Sequence, residues 1–368
     1  MTKLNPKNER IKMAYAEDLQ RLDGLSDTTI DQRLTAIKRF EEATDYVDLD
    51  TLDYVTVIRF VDTMSTRDVA SKTKVATVRH VKAFFTHLAV EGTLKAKGAR
   101  KAIKAIRLSE KDTRAGQAKP RARFASVNLI TETLLAMPKT NDIERRNRAL
   151  LAFTLVSGAR DGAICSMRVG HVDLEAAQIL QHPDEVKTKN SKLINSWFFP
   201  VGDVFIDEVR DYITHLKTDL GFTDMDPLFP STAMGHDEND RFIAIGLSKS
   251  HWANAGPMRD IFRTAFEAVG ARYYNPHSFR NTLMALAYDR QLSGEALKAW
   301  SQNLGHEHLD TSINSYGPVS PDRQRAAILA LHEGAAPVND DDRPLTRGDL
   351  KALLEGVRNQ SDVPPKSS

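Results

Sequence analysis

The sequence predicts a mainly α-helical protein of two domains. One is an N-terminal helical domain; the other is a mixed α+β domain with a small antiparallel sheet. Three observations lead there. Apolar residues recur at helical spacing through residues 8–92. A basic stretch containing Gly116 and Pro120 then interrupts the pattern. Beyond it, short β-type runs flank a basic turn among further helices. At 368 residues the chain is long enough for two cores.

The elements follow in order. "TTIDQRLTAIKRFEEA" starts at Thr28 or Thr29 as N-cap and sets Ile30, Leu34, Ile37 and Phe40 on one face. "DYVTVIRFVDTM" is a shorter, mostly apolar helix. "SKTKVATVRHVKAFFTHLAVEG" runs from Ser71 as N-cap to Gly92. Its apolar stripe is Val75, Val78, Val81, Phe85 and Leu88, with Lys72 and Arg79 on the opposite side. A short helix is expected around 99–108, then a connector near Gly116 and Pro120.

In the second region "NRALLAFTLVSGARDGAICSM" reads as a buried helix, a break at Ser157-Gly158 and a second helix. Short strands surround the turn "VKTKNSK", with "NSWFFPV" the clearest. "DEVRDYITHLKTDLG" is amphipathic and ends at Gly221. "PLFPSTAMGHDENDR" reads as a loop, with Asp237 to Arg241 exposed. "MRDIFRTAFEAVG", "HSFRNTLMALAYDRQ" and "PDRQRAAILALHEG" are helices, and "TRGDLKALLEGVR" is a helix in a polar tail. The expected domains are 1–115, helical; 116–335, mixed; and 336–368, a mobile C-terminal tail.

Composition excludes several classes. The chain is 41% hydrophobic and 27% charged, as a soluble globular protein is. It has no apolar run near the roughly 20 residues that span a bilayer, and its start lacks a secretory h-region. The single cysteine, Cys165, cannot form an internal disulfide and reads as a buried small hydrophobe, so a reducing cytoplasm is expected. Cys/His spacing of a zinc site and a glycine-rich phosphate loop are both missing from the sequence.

Charge is unevenly spread. Residues 1–123 hold 25 Lys+Arg against 17 Asp+Glu, and the remainder 26 against 32. Residues 93–123 alone carry 11 basic and 2 acidic residues. Such a stretch repels itself unless a polyanion neutralises it, which points to nucleic acid. A solvated linker is the plainer reading.

Four separated places share one kind of chemistry. Arg160 follows the break "SGAR"; Lys187 and Lys189 sit in "VKTKNSK"; His277 and Arg280 form H-x-x-R in "NPHSFRN"; His306 and Tyr316 lie in "LGHEHLDTSINSYGP". Metal-free transfer of a phosphodiester needs such a set. Fixed cations stabilise the charge spread over the equatorial oxygens. Arginine does this best, through a planar fork that keeps its proton. A tyrosine hydroxyl, ordinarily of pKa ~10, attacks phosphorus when its surroundings favour the phenolate. Lysine protonates the departing alkoxide, and histidine accepts a proton or bonds a phosphate oxygen. Each residue also has an ordinary structural explanation: a helix-end arginine, turn lysines, a satisfied histidine, a turn tyrosine.

In this order, and behind a helical N-terminal domain, the motifs resemble the tyrosine recombinase (phage integrase) family over roughly residues 8–335. They are "SGARDGAICSMRVGHVDL", "KTKNSKLINSWFFPV", "PLFPS", "NPHSFRNTLMALAY" and "LGHEHLDTSINSYGP". The resemblance implies a core-binding (SAM-like) N-terminal domain and a catalytic domain, 116–335. It implies that Arg160, His277, Arg280 and His306 hold the phosphate. Lys187 is then the general acid, with Lys189 its alternate, and Tyr316 the nucleophile of a 3′-phosphotyrosyl bond. DNA contacts are expected at Lys72, Arg79, Arg121 and Arg123. Residues 321–333 match the helix that docks on a neighbouring subunit.

The implied activity is site-specific recombination, as in integration, excision or resolution by a mobile genetic element. It needs no cofactor, neither metal nor ATP. The implied partners are double-stranded DNA, a homotetramer on two duplexes, and accessory DNA-bending or directionality proteins, with no membrane; the expected location is cytoplasmic and nucleoid-associated. A type IB topoisomerase-like enzyme and a catalytically silent DNA-binding architectural protein are the rivals. Two departures stand out. His306 and Tyr316 are ten positions apart where nine is usual, and Ala163 replaces the usual glutamate, leaving Asp161 nearer to Arg160.

Overall fold

The structure, a computed structural model, describes residues 4–94, 97–118, 123–188, 192–290, 292 and 294–306. The chain divides into two compact units at Lys119/Pro120.

The first unit is helical throughout its described part: α1 (Pro6–Arg21), α2 (Asp27–Ala43), α3 (Tyr54–Thr66), α4 (Ser71–Val90), α5 (Ala99–Ala105) and α6 (Glu110–Gln117). Side chains cap the starts of α1 and α3: Asn5 accepts from the N–H groups of Lys7 and Asn8, and Asp53 from that of Thr56. The apolar faces meet around Ile37, Phe40, Phe60, Val81, Phe84 and Phe85, all buried. Phe40 lies 5.1 Å from Phe60 and 4.9 Å from Phe85, in tilted and edge-on arrangements. The expected stripe on α4 is in place, except that Phe84 is buried and Val75 only partly so.

Three details differ from expectation. α2 begins one residue before Thr28, with Ser26 at its N-cap position. Ser71 is the first residue of α4, behind Ala70, and caps nothing by side chain. Gly116 lies inside a helix, α6, rather than in a connector. A Cβ there would sit 2.5 Å from the Val75 side chain and 2.8 Å from the Ser71 carbonyl. The glycine serves close helix approach, not a break.

The second unit contains α7 (Val127–Ala136), α8 (Asp142–Ser157), α9 (Asp161–Ile164), β1 (Val172–Asp173), β2 (Gln178–Gln181) and β3 (Ile194–Trp197). α10 (Asp203–Thr218), β4 (Thr232–His236), β5 (Phe242–Leu247), α11 (Gly256–Ala268), α12 (Phe279–Asp289) and α13 (Gly294–Asn303) follow. α8 is buried along residues 148–157, as a helix apolar on all sides must be. It ends at Gly158, whose φ of +58° suits glycine. A Cβ there would stand 2.7 Å from Leu304 and 2.9 Å from Leu283 and Phe199, so space and backbone both demand it.

β1, β2 and β3 form an antiparallel sheet in sequence order, with Ile179 opposite Ser196. The segment expected as a loop, "PLFPSTAMGHDENDR", instead supplies β4, paired with β5 in a second antiparallel ribbon. Its tip is exposed as expected from Glu238 to Arg241, while Asp237 is partly buried. Phe242 and Ile245 on the ribbon are exposed too, so no core alternation marks these strands in the sequence. Among the described residues no helix is long and apolar enough to cross a membrane. The helices expected at "PDRQRAAILALHEG" and "TRGDLKALLEGVR", and the tail 336–368, lie outside the described residues.

Candidate active site

Arg280 is the centre of the site. A 3₁₀ turn, Pro276–Ser278, leads into α12; Asn275 caps it by accepting from the Ser278 N–H at 3.0 Å. His277 on that turn is exposed, whereas Arg280, one helical turn on, is only 5% exposed. The Arg280 guanidinium donates to the Gly158 carbonyl, to the Leu304 carbonyl at 2.7 Å and to His306 Nε2 at 2.7 Å. One side chain thus joins the end of α8, the start of α12 and the turn after α13. That turn needs Gly305, at φ +69° and packed on Ile194.

Because His306 accepts at Nε2, its ring proton belongs on Nδ1. Burial, then repulsion from Arg280, Arg160 and His277, pushes His306 down to about 4. The ring is neutral near pH 7. Burial, then Arg160, pushes Arg280 down to about 9. Arg160 is the N-cap residue of α9 and half-buried; burial also lowers its pKa from the usual arginine value. Its guanidinium has no hydrogen-bond partner among the described residues. Asp161, the carboxylate nearest in sequence, turns instead to Arg259 at 2.7 Å and accepts from the Gly162 N–H at 3.0 Å.

Three expected site residues, Arg160, His277 and Arg280, therefore lie within electrostatic reach of a fourth, His306, and Arg160 also acts on Arg280. Lys187 is placed differently. Its charge acts on Cys165 and His251, and it lines a cleft of about 390 Å³ with Ser166, Arg168 and His251. Cys165 is buried, as expected, and burial pushes its thiol up to about 12, which makes it inert. Lys189 and Tyr316 lie outside the described residues. No group of three or more His, Cys, Asp or Glu among the described residues could hold a metal.

Several residues with structural work to do carried no sequence signal. His171, 8% exposed, accepts from the Arg168 N–H at Nδ1 and meets Glu185 through Nε2 at 2.9 Å. His251 bonds the Cys165 carbonyl at 3.2 Å through Nδ1. Both link residues distant in sequence. In the first unit Lys72 and Arg79 are exposed on α4, as expected. Arg79 lines a cleft of about 520 Å³ with Arg33, Lys82 and His87, residues that periodicity alone did not single out. Arg123 is exposed, and Arg121 lies outside the described residues.

Residues 130–322, just over half of the chain, match the sequence profile of the Phage integrase family. The chain is 22% identical over 191 residues to tyrosine recombinase XerC of Bacillus pumilus (strain SAFR-032). That match covers 52% of this chain and 55% of the relative. Among solved structures, the post-cleavage complex of the XerH site-specific recombinase with a palindromic difH substrate superposes with a TM-score of 0.59. It is 15% identical and covers 86% of this chain and 83% of that one. Lambda integrase (residues 75–356) bound to DNA gives 0.58 at 13% identity, over 85% of this chain and 97% of that one. These likenesses establish a shared fold. With the profile match spanning α7 to the stretch holding His306 and Tyr316, the chain belongs to the phage integrase family.

Proposed function

We propose that this protein is a site-specific DNA recombinase that cuts and rejoins strands through a 3′-phosphotyrosyl intermediate. The observation that carries the reading is the gathering of Arg160, Arg280 and His306. Two guanidinium groups act on one imidazole, and neither guanidinium is paired with a carboxylate among the described residues. Such a cluster is costly unless an anion completes it. A backbone phosphate is the anion that family membership suggests.

In the proposed reaction the Tyr316 oxygen attacks phosphorus while its proton passes to a base. Arg160 and Arg280 stabilise the equatorial oxygens, and the Nδ1–H of His306 donates to one of them. Lys187, or Lys189 in the same turn, gives a proton to the departing 5′ oxygen. A 5′-hydroxyl of a partner strand reverses the step. Each bond broken is replaced by an equivalent one, so ATP is not required, and the fixed cations do the work a metal ion would otherwise do. Exchange by this route implies four subunits on two duplexes in the cytoplasm, acting on the nucleoid. Residues 1–115 and 116–335 would then be the core-binding and catalytic domains. Lys72, Arg79, Arg121 and Arg123 would lie along the DNA backbone.

A trapping experiment tests this. The protein is incubated with nicked duplexes carrying its site, and a denaturation-resistant adduct is sought. Wild type should form the adduct and Tyr316→Phe should not. An adduct that persists in Tyr316→Phe removes Tyr316 as nucleophile, and no adduct on any selected site favours an architectural DNA-binding role.

A further inference from the structure

The proposed chemistry needs a clamp and a proton donor at one phosphate, yet Arg160 and Lys187 sit on separate elements. Ser166 joins those elements. It lies two residues beyond α9, the helical turn that Arg160 caps. Its hydroxyl donates back to the Gly162 and Ala163 carbonyls at 3.1 and 3.0 Å, and accepts from the backbone N–H of Lys187 at 2.9 Å. Its proton and a lone pair are both in use. The turn that carries Lys187 closes on itself elsewhere: Val186 N–H bonds the His182 carbonyl at 2.8 Å, and Thr188 N–H the Val186 carbonyl at 2.7 Å. The Lys187 N–H alone of these three reaches out of the turn, across 21 residues of sequence. The Lys187 side chain then borders the open cleft that Ser166 also lines.

We propose that Ser166 is a positioning residue, which fixes the lysine-bearing turn against the helix end that presents Arg160. The guanidinium then meets the non-bridging oxygens of the phosphate whose 5′ oxygen the ammonium protonates. This rests on the reading above, that a lysine of this turn is the general acid. Misplacing a proton donor by about 1 Å is enough to slow a reaction by up to about 100-fold, so a single hydrogen bond to the turn matters.

The leaving group provides the test. A 5′ alkoxide must be protonated as it departs. A 5′ thiolate, of ordinary pKa about 8.5, leaves without a proton. The DNA site is selected from a random duplex library with the wild-type protein. It is then synthesised as a nicked duplex with either oxygen or sulfur bridging at the scissile 5′ position. Ser166→Ala should cleave the oxygen substrate about tenfold more slowly than wild type and the sulfur substrate at the wild-type rate. Ser166→Thr, which keeps the hydroxyl, should match wild type on both. Ser166→Cys, similar in size but a weak acceptor, replaces the alanine variant if that one unfolds.

Lys187→Met should show the same pattern with a larger loss. Relief by sulfur in Ser166→Ala but not in Lys187→Met leaves Ser166 in its role and moves the donor to Lys189. An equal loss on both substrates, or no loss on oxygen, overturns the inference. A wild-type protein that cleaves neither substrate overturns the reading of the site itself, and this inference with it.

Discussion

The first unit and the candidate site of the second treat charge in opposite ways. In the first, opposite charges meet. Glu41, 1% exposed, accepts from Asn8 at 2.9 Å and from Lys12 at 2.7 Å, and Lys7 bridges Asp48 and Asp50 at 2.7 Å each. These contacts bind α1 to α2 and the segment after it. In the second unit Arg148 likewise meets an opposite charge, Glu208 at 2.6 Å, but the cations of the candidate site and Arg146 meet neutral acceptors or one another. Arg280 bonds two carbonyls and a neutral imidazole, and Arg160 stands beside it without a partner among the described residues. Arg146, 3% exposed, bonds the Pro230 carbonyl, Thr232 and Asn147 and stacks on Trp252 at 5.2 Å; burial pushes it down to about 10. Paired charge holds a fold together, whereas uncompensated positive charge leaves room for an anion from outside.

Substitutions can break that contrast. Arg280→Lys should have the largest effect. Lysine cannot supply a fork to the Leu304 carbonyl and His306 while facing a phosphate. Single-turnover cleavage should fall by about 1,000-fold with little change in DNA affinity. Comparable losses in both would contradict a role in the transition state. Arg160→Ala should cost about 100-fold in cleavage and leave the melting temperature near wild type, because its guanidinium makes no hydrogen bond or ion pair with the described residues. Glu41→Ala should do the reverse. It takes one of two partners from Lys12, which keeps Glu9, and from the Asn8 amide, which keeps the Val47 carbonyl, and denaturant titration should show a loss of about 2 kcal/mol. Cleavage by the folded fraction should be unchanged.

Smaller effects sharpen the contrast. Arg79→Ala should make the log–log salt dependence of DNA binding shallower by about 0.9, one phosphate's worth. An unchanged slope would place Arg79 away from the backbone. His306 links pH to stability. Its ring is pushed down to about 4 from an ordinary 6.5, so the unfolded chain takes up the proton first. Its contribution is present above pH 6.5 and lost as pH falls through about 4. His306→Gln should flatten that acid limb in melting curves.

Much of the site was legible because it lies where local rules apply. The Ser157-Gly158 break marks the end of α8, since glycine closes the helix and only glycine fits. H-x-x-R places His277 and Arg280 one turn apart, and the structure shows one exposed and the other buried. Where the local rules were silent, contact across the chain decided. Gly116 has the signature of a breaker but is a helix–helix contact, visible only once α4 is beside it. β4 and β5 carry glycines, an acidic tip and exposed apolar residues, and so lack the alternation that reveals a half-buried strand. Ser166, His171, His251 and Arg259 act on residues 14 to 98 positions away. No spacing in the sequence encodes that.

The central claim is that Arg160, Arg280 and His306 form a seat for an anion. The titration of His306, followed by NMR with labelled histidine, tests it most directly. In the free protein the ring should titrate near 4. With the selected duplex bound, a phosphate beside the ring should offset the two guanidinium charges and raise that value. A His306 titration that DNA leaves unmoved, while Arg79 and its neighbours still bind the duplex, would contradict the account.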